Sequence, residues 1–275
     1  MTNACPLCRA LARTTLYRGT RSGDVHRCTA CGMVYSDPRG QPVPGGPPAF
    51  TDCPEAYLVN AKHRLSLLAR ATGITGGKLL DVGCYDGPFI LAAAKLGFEV
   101  TGIEPNAIGA AAARARGLEV IEAPFEAVEL SGTFRVITMI HTVEHLPDPL
   151  AALQHARRLL PVDGALLIEA PNFDAWSRRL MGRRWRQFIA DHFQFFEPET
   201  LRRTLQRAGF EVPFLQPVGK TASWQLLADR VGRYYSRGGG EALAKLSARF
   251  NLGDREFSIN LGDILLAVAT PRADR

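Results

Sequence analysis

The chain has 275 residues, 46% of them hydrophobic, which suits one α/β domain with a small additional module and excludes a disordered polypeptide. No apolar run reaches the about 18 residues of a membrane span, and no secretion signal is visible at the amino terminus, so we expect a cytoplasmic protein without membrane insertion. The net charge of +6 permits an anionic partner but does not require one.

Four of the six cysteines stand in two close pairs near the amino terminus. The pairs are Cys5 with Cys8 and Cys28 with Cys31. Two such turns can direct four thiolates at one point, as in closed tetrahedral zinc sites, whereas a reducing cytoplasm disfavours the alternative of two disulfides. We therefore predict a zinc ribbon over residues 1–37 with short strands near residues 14–18, 25–27 and 33–36. Four protein ligands leave no open position, so the zinc should be structural.

Proline and glycine dominate the residues that follow the ribbon. Residues 38–53 are therefore predicted to be a stiff linker. A helix is predicted over Pro54–Thr72, because Leu58, Leu65 and Leu68 fall on one helical face.

From residue 77 onward, apolar runs alternate with helical patterns, which predicts a mostly parallel sheet with helices on both faces over residues 54–275. The predicted strands are residues 78–82, 98–103, 118–121, 134–140 and 165–169, and the predicted helices are residues 88–96, 107–116, 149–160 and 198–208. Residues 221–251 have a helical pattern interrupted by glycines 238–240, and residues 256–270 have the pattern of a late strand or hairpin.

A glycine-containing loop, Gly83 to Gly87, follows the first strand of this predicted sheet. Glycines let the backbone turn sharply and approach a ligand at the carboxyl end of a strand. The next strand ends at Glu104, where dinucleotide-binding folds place the carboxylate that binds ribose hydroxyls. The nicotinamide pattern G-x-G-x-x-G fails here, because Tyr85 and Pro88 occupy its second and third glycine positions.

The segment from Leu79 to Phe89 resembles motif I of the class I S-adenosylmethionine-dependent methyltransferases. The segment His141-Thr-Val-Glu-His-Leu-Pro-Asp-Pro149 resembles its counterpart in ubiquinone-biosynthesis O-methyltransferases, and the resemblance extends over residues 55–212. It implies a Rossmann-like sheet of seven strands whose last strand is antiparallel. Two positions depart from the family pattern: Tyr85 could narrow the donor pocket, and Arg135 replaces a usual acidic residue.

The resemblance also implies where S-adenosylmethionine binds. The methionine end of the donor would lie near Gly83, the ribose at Glu104 and the adenine beside Phe125, although a phenylalanine at that position is also compatible with plain core packing. The donor-binding residues predicted in this way are Asp81, Gly83, Cys84, Tyr85, Gly87, Glu104, Pro105, Phe125 and His141.

Three histidines are candidates for the base that a hydroxyl or carbon acceptor needs: His141, His145 and His192. His141, Glu144 and His145 have the spacing of one helical turn, so a divalent metal site is an alternative. Residues 171–196 form a predicted insert that is rich in aromatic residues and arginine. It could line an acceptor pocket for a flat or acidic molecule or merely cover the donor.

These features favour methyl transfer to a small-molecule acceptor, preferably at a hydroxyl of an aromatic, sugar or other anionic metabolite. The alternatives are sugar C-methylation, methylation of a ribosomal RNA base, and a non-catalytic donor sensor. The resembled sugar enzymes carry a further carboxy-terminal domain, and the RNA enzymes lack the Glu-His-Leu segment. The ribbon carries no dense basic stripe, so we expect no nucleic-acid partner. No pattern in the sequence predicts an oligomeric state.

Overall fold

The computed structural model describes residues 4–37, 54–130, 132–224, 227–228, 231–232, 236–250, 252 and 255–273. The predicted linker at residues 38–53 lies outside this set. No helix in the described part of the chain is long and apolar enough to cross a membrane.

The amino-terminal segment forms three antiparallel strands, as its cysteine spacing and short apolar runs predict. They are β1 (Arg13–Thr20), β2 (Gly23–Cys28) and β3 (Val34–Ser36). β1 pairs with β2, and β2 pairs with β3. The turn between the first two strands is tight, with Thr20 opposite Gly23.

The remainder of the chain alternates strands and helices. In chain order these are α1 (Pro54–Thr72), β4 (Gly77–Val82), α2 (Pro88–Lys95), β5 (Phe98–Ile103), α3 (Ala107–Arg114), β6 (Val120–Ile121), β7 (Val136–Ile140), α4 (Pro149–Leu159), β8 (Ala165–Pro171), α5 (Trp176–Met181), β9 (Gln194–Phe195), α6 (Pro198–Arg207), β10 (Phe210–Pro217), β11 (Lys220–Ser223), α7 (Arg237–Arg249), β12 (Glu256–Ile259) and β13 (Ile264–Pro271). The predicted elements up to α6 are confirmed to within one or two residues at most ends.

Seven strands form the central sheet in the order β10-β13-β8-β7-β4-β5-β6. β4 lies parallel to both β5 and β7, and only β13 runs against its neighbours. The predicted seven-stranded, mostly parallel sheet with an antiparallel last strand is therefore confirmed. The chain leaves β4 in one direction toward β5 and later returns on its other side as β7, so a crevice opens at the carboxyl end of β4.

The sheet is buried on both faces, and alternate residues of one strand serve opposite faces. Leu79 packs in one apolar cluster with Leu68 of α1 and Ile90 of α2. Leu80 packs in the other with Leu153 of α4 and Leu201 of α6. Helices cover both faces, as the alternating sequence pattern predicts.

The carboxy-terminal region differs from its predicted pattern. Glycines 238–240 do not interrupt a helix but form the first turn of α7, where Ser236 accepts a hydrogen bond from the backbone of Gly239. The helix therefore tolerates its glycines in the capped first turn, where backbone N–H groups lack intrahelical partners. Residues 256–270 are not a hairpin, because β12 pairs with β11 while β13 enters the central sheet.

The amino-terminal ribbon continues into the rest of the molecule through a second sheet, with strand order β1-β2-β3-β9. β9 belongs to the insert that follows β8, and Val34 lies opposite Phe195 in the antiparallel pair. The ribbon is thus packed on the insert and shares hydrogen bonds with it.

Candidate active site

The four predicted zinc ligands converge. The sulfur atoms of Cys5, Cys8, Cys28 and Cys31 all lie within 4.8 Å of one another. The separations Cys5 Sγ to Cys31 Sγ and Cys8 Sγ to Cys28 Sγ are both 3.5 Å. A tetrahedron of Zn–S bonds of about 2.3 Å requires sulfur separations of about 3.8 Å, so the residues fit a structural zinc. No other protein ligand joins this set among the described residues.

The loop after β4 has the backbone geometry of a close ligand approach. Gly83 adopts φ of +76°, and a Cβ there would lie 2.5 Å from the hydroxyl oxygen of Thr142. Any side chain at this position would therefore collide with the neighbouring loop. Tyr85 also has a positive φ, +49°, which explains why glycine is usual at this position. Its ring packs against Gly109 of α3.

Glu104 joins the two loops of the predicted donor site. One carboxylate oxygen accepts a hydrogen bond of 2.8 Å from the backbone of Tyr85, and the other accepts one of 2.8 Å from the backbone of Asn106. Burial raises the pKa of the Glu104 carboxyl, against the lowering effect of these two donors. The N-cap of α3 is Asn106, whose side chain accepts from Gly109, so Glu104 is not needed for capping.

The other predicted donor residues occupy several environments. Asp81 is buried and accepts a hydrogen bond of 2.5 Å from Thr138, while burial raises its pKa to about 7. The Cys84 thiol packs into the core against Gly102, so only its backbone faces the loop. Gly87 has φ of +81° and begins α2, and Pro105 is exposed beside Glu104. Their predicted donor contacts stay predictions.

Phe125 lies on the wall of the same crevice, after β6. Its side chain is 3% exposed and stacks on His155 of α4, with ring centroids 4.6 Å apart and planes 15° from parallel. The ring thus belongs to the apolar core, the alternative to an adenine contact. The predicted contact of Phe125 with the adenine stays a prediction.

His141 lies between two carboxylates at the end of β7. Its Nδ1 is 3.4 Å from Glu144 and its Nε2 is 3.0 Å from Glu169. Burial and Lys220 lower the pKa of His141, but both carboxylates raise it, and the net shift is upward. An imidazole with both nitrogens facing carboxylates is stabilised as the cation, which suits a positioning role better than that of a proton acceptor. His141 also has φ of +55°, a strained conformation for a non-glycine residue.

Three charged residues around His141 were not identified from the sequence. Glu169 at the end of β8 forms a 2.6 Å ion pair with Arg64 of α1, and both side chains are 3% exposed. The amino group of Lys220 lies 3.0 Å from Nε2 of His141. A glutamate that ends an otherwise apolar strand was the available signal for Glu169, because a buried charge needs a partner. No local pattern connects Arg64 or Lys220 to it.

His145 and His192 meet at the mouth of the crevice, with ring centroids 4.6 Å apart in an edge-to-face arrangement. Nδ1 of His145 lies 2.9 Å from the carbonyl oxygen of Asp191 and 3.4 Å from its carboxylate. Nδ1 of His192 lies 2.9 Å from the carbonyl oxygen of Gln187. Because a carbonyl oxygen only accepts, the neutral form of each ring carries its proton on Nδ1, and its Nε2 then has a lone pair.

The two rings differ in basicity. Burial lowers the pKa of His192 to about 4, so it is neutral at pH 7 and a poor proton acceptor. Burial also lowers the pKa of His145, but the Asp191 hydrogen bond and the charge of Glu144 outweigh it, and the net pKa is raised. His145 with Asp191 is therefore the stronger base.

The side chains that converge as possible metal ligands differ from the predicted set of His141, Glu144 and His145. Ligand atoms of Glu144, His145 and His192 lie within 4.8 Å of one another, whereas His141 is not in this group. The chain turns as a short 3-10 helix over Val143–His145, which changes the direction of the His141 side chain relative to a regular helix. Glu144 is fully buried, and its Oε2 has no hydrogen-bond partner among the described residues. These three side chains could hold a divalent cation.

The aromatic residues of the insert mostly form a small core of their own. Phe173, Trp185, Phe188 and Phe195 pack with Val25 and Val34 of the ribbon. This group of six residues is called the insert core below. Its rings are buried against the ribbon and cannot line an acceptor pocket. The expectation of a broad aromatic pocket wall is therefore wrong for these four rings.

Several of the insert's arginines also have structural partners. The Arg178 guanidinium donates to the carbonyl oxygen of Phe173 and to the hydroxyl of Tyr17. Arg179 pairs with Asp174, and Arg186 lies 3.8 Å from Asp263. These contacts account for part of the basic stretch without an anionic ligand.

A family model described as a methyltransferase domain matches residues 56–213, which is more than half of the chain. The chain belongs to this methyltransferase family. The glycine loop, Glu104 and the crevice at β4 all lie in the matched residues, so this enzyme is a class I S-adenosylmethionine-dependent methyltransferase.

Curated relatives of the methyltransferase include ubiquinone biosynthesis O-methyltransferases. The protein from Pseudomonas aeruginosa (strain LESB58) is 30% identical over 164 residues, which cover 54% of this chain and 71% of the relative. The protein from Histophilus somni (strain 2336) is 34% identical over 143 residues, which cover 47% of this chain and 60% of the relative.

Solved structures with the same fold are more distant in sequence. A SAM-dependent methyltransferase of Thermotoga maritima gives a TM-score of 0.54 at 20% identity, with coverage of 80% of this chain and 93% of that one. The plantazolicin methyltransferase BamL, solved with SAH, gives a TM-score of 0.55 at 13% identity, with coverage of 80% and 86%. These similarities establish the shared fold.

Proposed function

We propose that this methyltransferase transfers a methyl group to a hydroxyl oxygen of a small-molecule acceptor, with His145 as the general base. The observation that carries the proposal is the hydrogen-bonded pair of Asp191 and His145, which engages Nδ1 of His145 and leaves the lone pair of its Nε2 to accept a proton. The relatives named as ubiquinone biosynthesis O-methyltransferases support a hydroxyl as the acceptor group.

S-adenosylmethionine supplies an electrophilic methyl group when bound in the crevice, and it leaves as S-adenosylhomocysteine. Glu104 and the Gly83 loop would hold the donor, and the acceptor oxygen would lie in line behind the methyl carbon. Nε2 of His145 takes the hydroxyl proton as the new O–C bond forms. Asp191 fixes the tautomer and stabilises the resulting imidazolium.

A small molecule fits the surface better than RNA does. RNA binding needs a basic surface whose phosphate contacts make affinity fall steeply with salt. Here Arg27 of the ribbon already forms two hydrogen bonds with Glu197, and Arg21 donates to backbone oxygens of the insert. These guanidinium groups hold the ribbon in place and are not available as a phosphate track.

The test is a screen of phenols, catechols, sugars and nucleotide sugars, with S-adenosylhomocysteine formation as the readout. We expect turnover with a hydroxyl-bearing class, and loss of turnover in His145→Gln at unchanged affinity for S-adenosylhomocysteine. A parallel arm uses total RNA at increasing salt. Methyl incorporation into RNA, or tight RNA binding with a steep salt dependence, would contradict the small-molecule proposal.

The same screen shows whether His145 acts as a general base or whether Glu144, His145 and His192 bind a divalent cation that turnover requires. Enzyme treated with EDTA and dialysed, with metal analysis showing that the ribbon zinc is retained, should keep its turnover if His145 acts as the base. Loss of turnover that Mg²⁺ or Mn²⁺ restores, with zinc retained at the ribbon, would instead assign the cluster to a divalent cation.

A further inference from the structure

The loop that carries Asp191 and His192 is held by the ribbon through backbone hydrogen bonds. β3 pairs with β9, so Tyr35 lies opposite Gln194. One residue further, the backbone N–H of Ser36 donates to the carbonyl oxygen of Phe193 at 2.9 Å. The Ser36 hydroxyl, which is buried, donates to the carbonyl oxygen of His192 at 3.1 Å. The last residue of β3, Ser36, is therefore hydrogen-bonded to the backbone of His192, a candidate active-site residue.

Side chains reinforce the same attachment on either side of this strand. Arg27 of β2 binds the carboxylate of Glu197 through two hydrogen bonds of 2.9 and 2.6 Å. In the β1–β2 turn, Ser22 donates to the carbonyl oxygen of Ile189 at 2.7 Å. The insert core adds apolar contact between Val25 and Val34 of the ribbon and the rings of the insert. Together these contacts fix both ends of the segment 188–197.

On its other side the loop binds the chain that carries the proposed base. The backbone N–H of Phe193 donates to the carbonyl oxygen of Glu144 at 2.9 Å. Asp191 reaches His145 through both its carbonyl oxygen and its carboxylate. The segment therefore lies between the ribbon and the turn that carries His145. Among the described residues, Gly83 and Glu104 of the predicted donor site form no hydrogen bond with the ribbon or with this segment.

The ribbon depends on its metal more than the rest of the molecule does. A segment of this length buries too little apolar surface to fold alone, so metal binding supplies its folding free energy. The four thiols join the amino-terminal turn that carries Cys5 and Cys8 to the β2–β3 turn that carries Cys28 and Cys31. Loss of the metal would release β3 and, with it, one of the two supports of the segment 188–197.

We propose that the zinc-bound ribbon is a part of the acceptor site: Ser36 and Arg27 position Asp191 and His192 against His145, so that zinc occupancy controls the acceptor side without controlling donor binding. The catalytic meaning of this coupling rests on the proposed function of His145. The mechanical coupling itself does not, and it is measurable without knowing the acceptor.

The first test removes zinc from the full-length protein with a strong chelator and verifies the loss by metal analysis. Amide hydrogen exchange over residues 187–195 should accelerate by about tenfold or more, because the amides lose partners in β3 and in its packed surroundings. S-adenosylhomocysteine affinity, measured by calorimetry, should change by less than about twofold, since its predicted contacts lie elsewhere. Three results would overturn the proposal: amide exchange over residues 187–195 that does not change on zinc removal, a tenfold or greater loss of S-adenosylhomocysteine affinity on zinc removal, or the absence of zinc in the purified protein.

The second test uses two matched arginines, in case zinc removal unfolds the whole chain. Arg27→Gln breaks the ion pair with Glu197 in the insert, whereas Arg13→Gln breaks a comparable ion pair with Asp37 inside the ribbon. NMR titration should show a lower His145 pKa in Arg27→Gln, because Asp191 is held less closely, and no change in Arg13→Gln. The titratable groups around His145 are Asp191, Glu144, His192 and Glu104.

Ser36 provides the conservative comparison. Ser36→Ala removes the hydroxyl that binds the carbonyl oxygen of His192, and Ser36→Thr keeps a hydroxyl. The pKa of His145 should fall in Ser36→Ala and return toward the wild-type value in Ser36→Thr. Equal His145 pKa values in all these variants would overturn the positioning role, whether or not His145→Gln later proves inactive.

Discussion

Individual residues at the crevice acquire their chemistry from burial and from a few partners. His145 and His192 lie against each other, yet Asp191 raises the pKa of one while burial lowers that of the other. Both residues are histidines, so the sequence does not show that their pKa values differ. Their separation into a usable base and a weakly basic neighbour comes from contacts that the fold creates.

His145→Gln should lower kcat by about 10²–10⁴, the range that general base catalysis contributes, with unchanged affinity for S-adenosylhomocysteine. In the wild type, kcat/KM should rise with pH through the raised pKa of His145, because only the neutral ring accepts a proton. Asp191→Asn should lower the maximal rate and move this rise to lower pH, since the raising partner is removed. A pH profile with the acceptor found in the screen measures both effects.

Glu104→Ala should weaken S-adenosylmethionine binding by about 1–3 kcal/mol, because the ribose hydroxyls of the donor would lose their predicted acceptor and the loops at Tyr85 and Asn106 would lose the carboxylate that joins them. Glu122→Ala is the control, since that carboxylate pairs with Arg114 on the surface. Calorimetry with equal affinities for Glu104→Ala and the wild type would remove Glu104 from the donor site.

Arg64→Ala should reduce the free energy of unfolding by about 3–5 kcal/mol, because it removes the buried partner of Glu169 at 2.6 Å and leaves that carboxylate with only His141 and Lys220. Arg203→Ala breaks an exposed pair with Glu199 and should cost less than about 1 kcal/mol. Urea unfolding measures both. Equal losses of unfolding free energy in the two variants would show that the buried ion pair stabilises the protein no more than the exposed one does.

At the scale of elements, local patterns predict most of the fold. The helix over Pro54–Thr72 and the strand over Ala165–Pro171 follow from apolar periodicity, and the glycine loop marks the crevice. Pairings between distant segments do not follow from periodicity. The two residues of β9 carry no strand signal of their own, and β3 pairs with them across more than half of the chain.

The residues of the candidate site also fall into a group that local motifs predict and a group that long-range contacts bring together. The donor loop and the four cysteines are local motifs, so the sequence locates them. The partners of the histidines are long-range: Glu169 and Lys220 reach His141, and Asp191 reaches His145. The aromatic residues of the insert were assigned to the acceptor because the sequence does not show that the ribbon would cover them.

One zinc per chain should co-purify with the protein, and Cys8→Ser should remove most of it. Three remaining ligands hold zinc less tightly than four, and the ribbon derives its folding free energy from the metal. Elemental analysis with a thermal melt tests this. Wild-type protein without zinc, prepared without chelator, would contradict the zinc ribbon.

At the scale of the whole molecule, the donor side and the proposed acceptor side belong to two different sheets. The central sheet has its crevice at the carboxyl end of β4, where the methyl donor is predicted to bind. The four-stranded sheet carries Asp191 and His192 on the loop that precedes its edge strand β9. The sheets meet where the backbone of Phe193 binds that of Glu144. Methyl transfer would therefore take place at a junction whose two sides are stabilised independently.

The most direct test of this account follows the labelled methyl group from S-adenosylmethionine into an extract that is separated into small molecules, RNA and protein. Label should appear in the small-molecule fraction, attached to oxygen, and this signal should be lost in His145→Gln and retained in Arg13→Gln. Label confined to RNA or protein, or equal incorporation by His145→Gln, would contradict it.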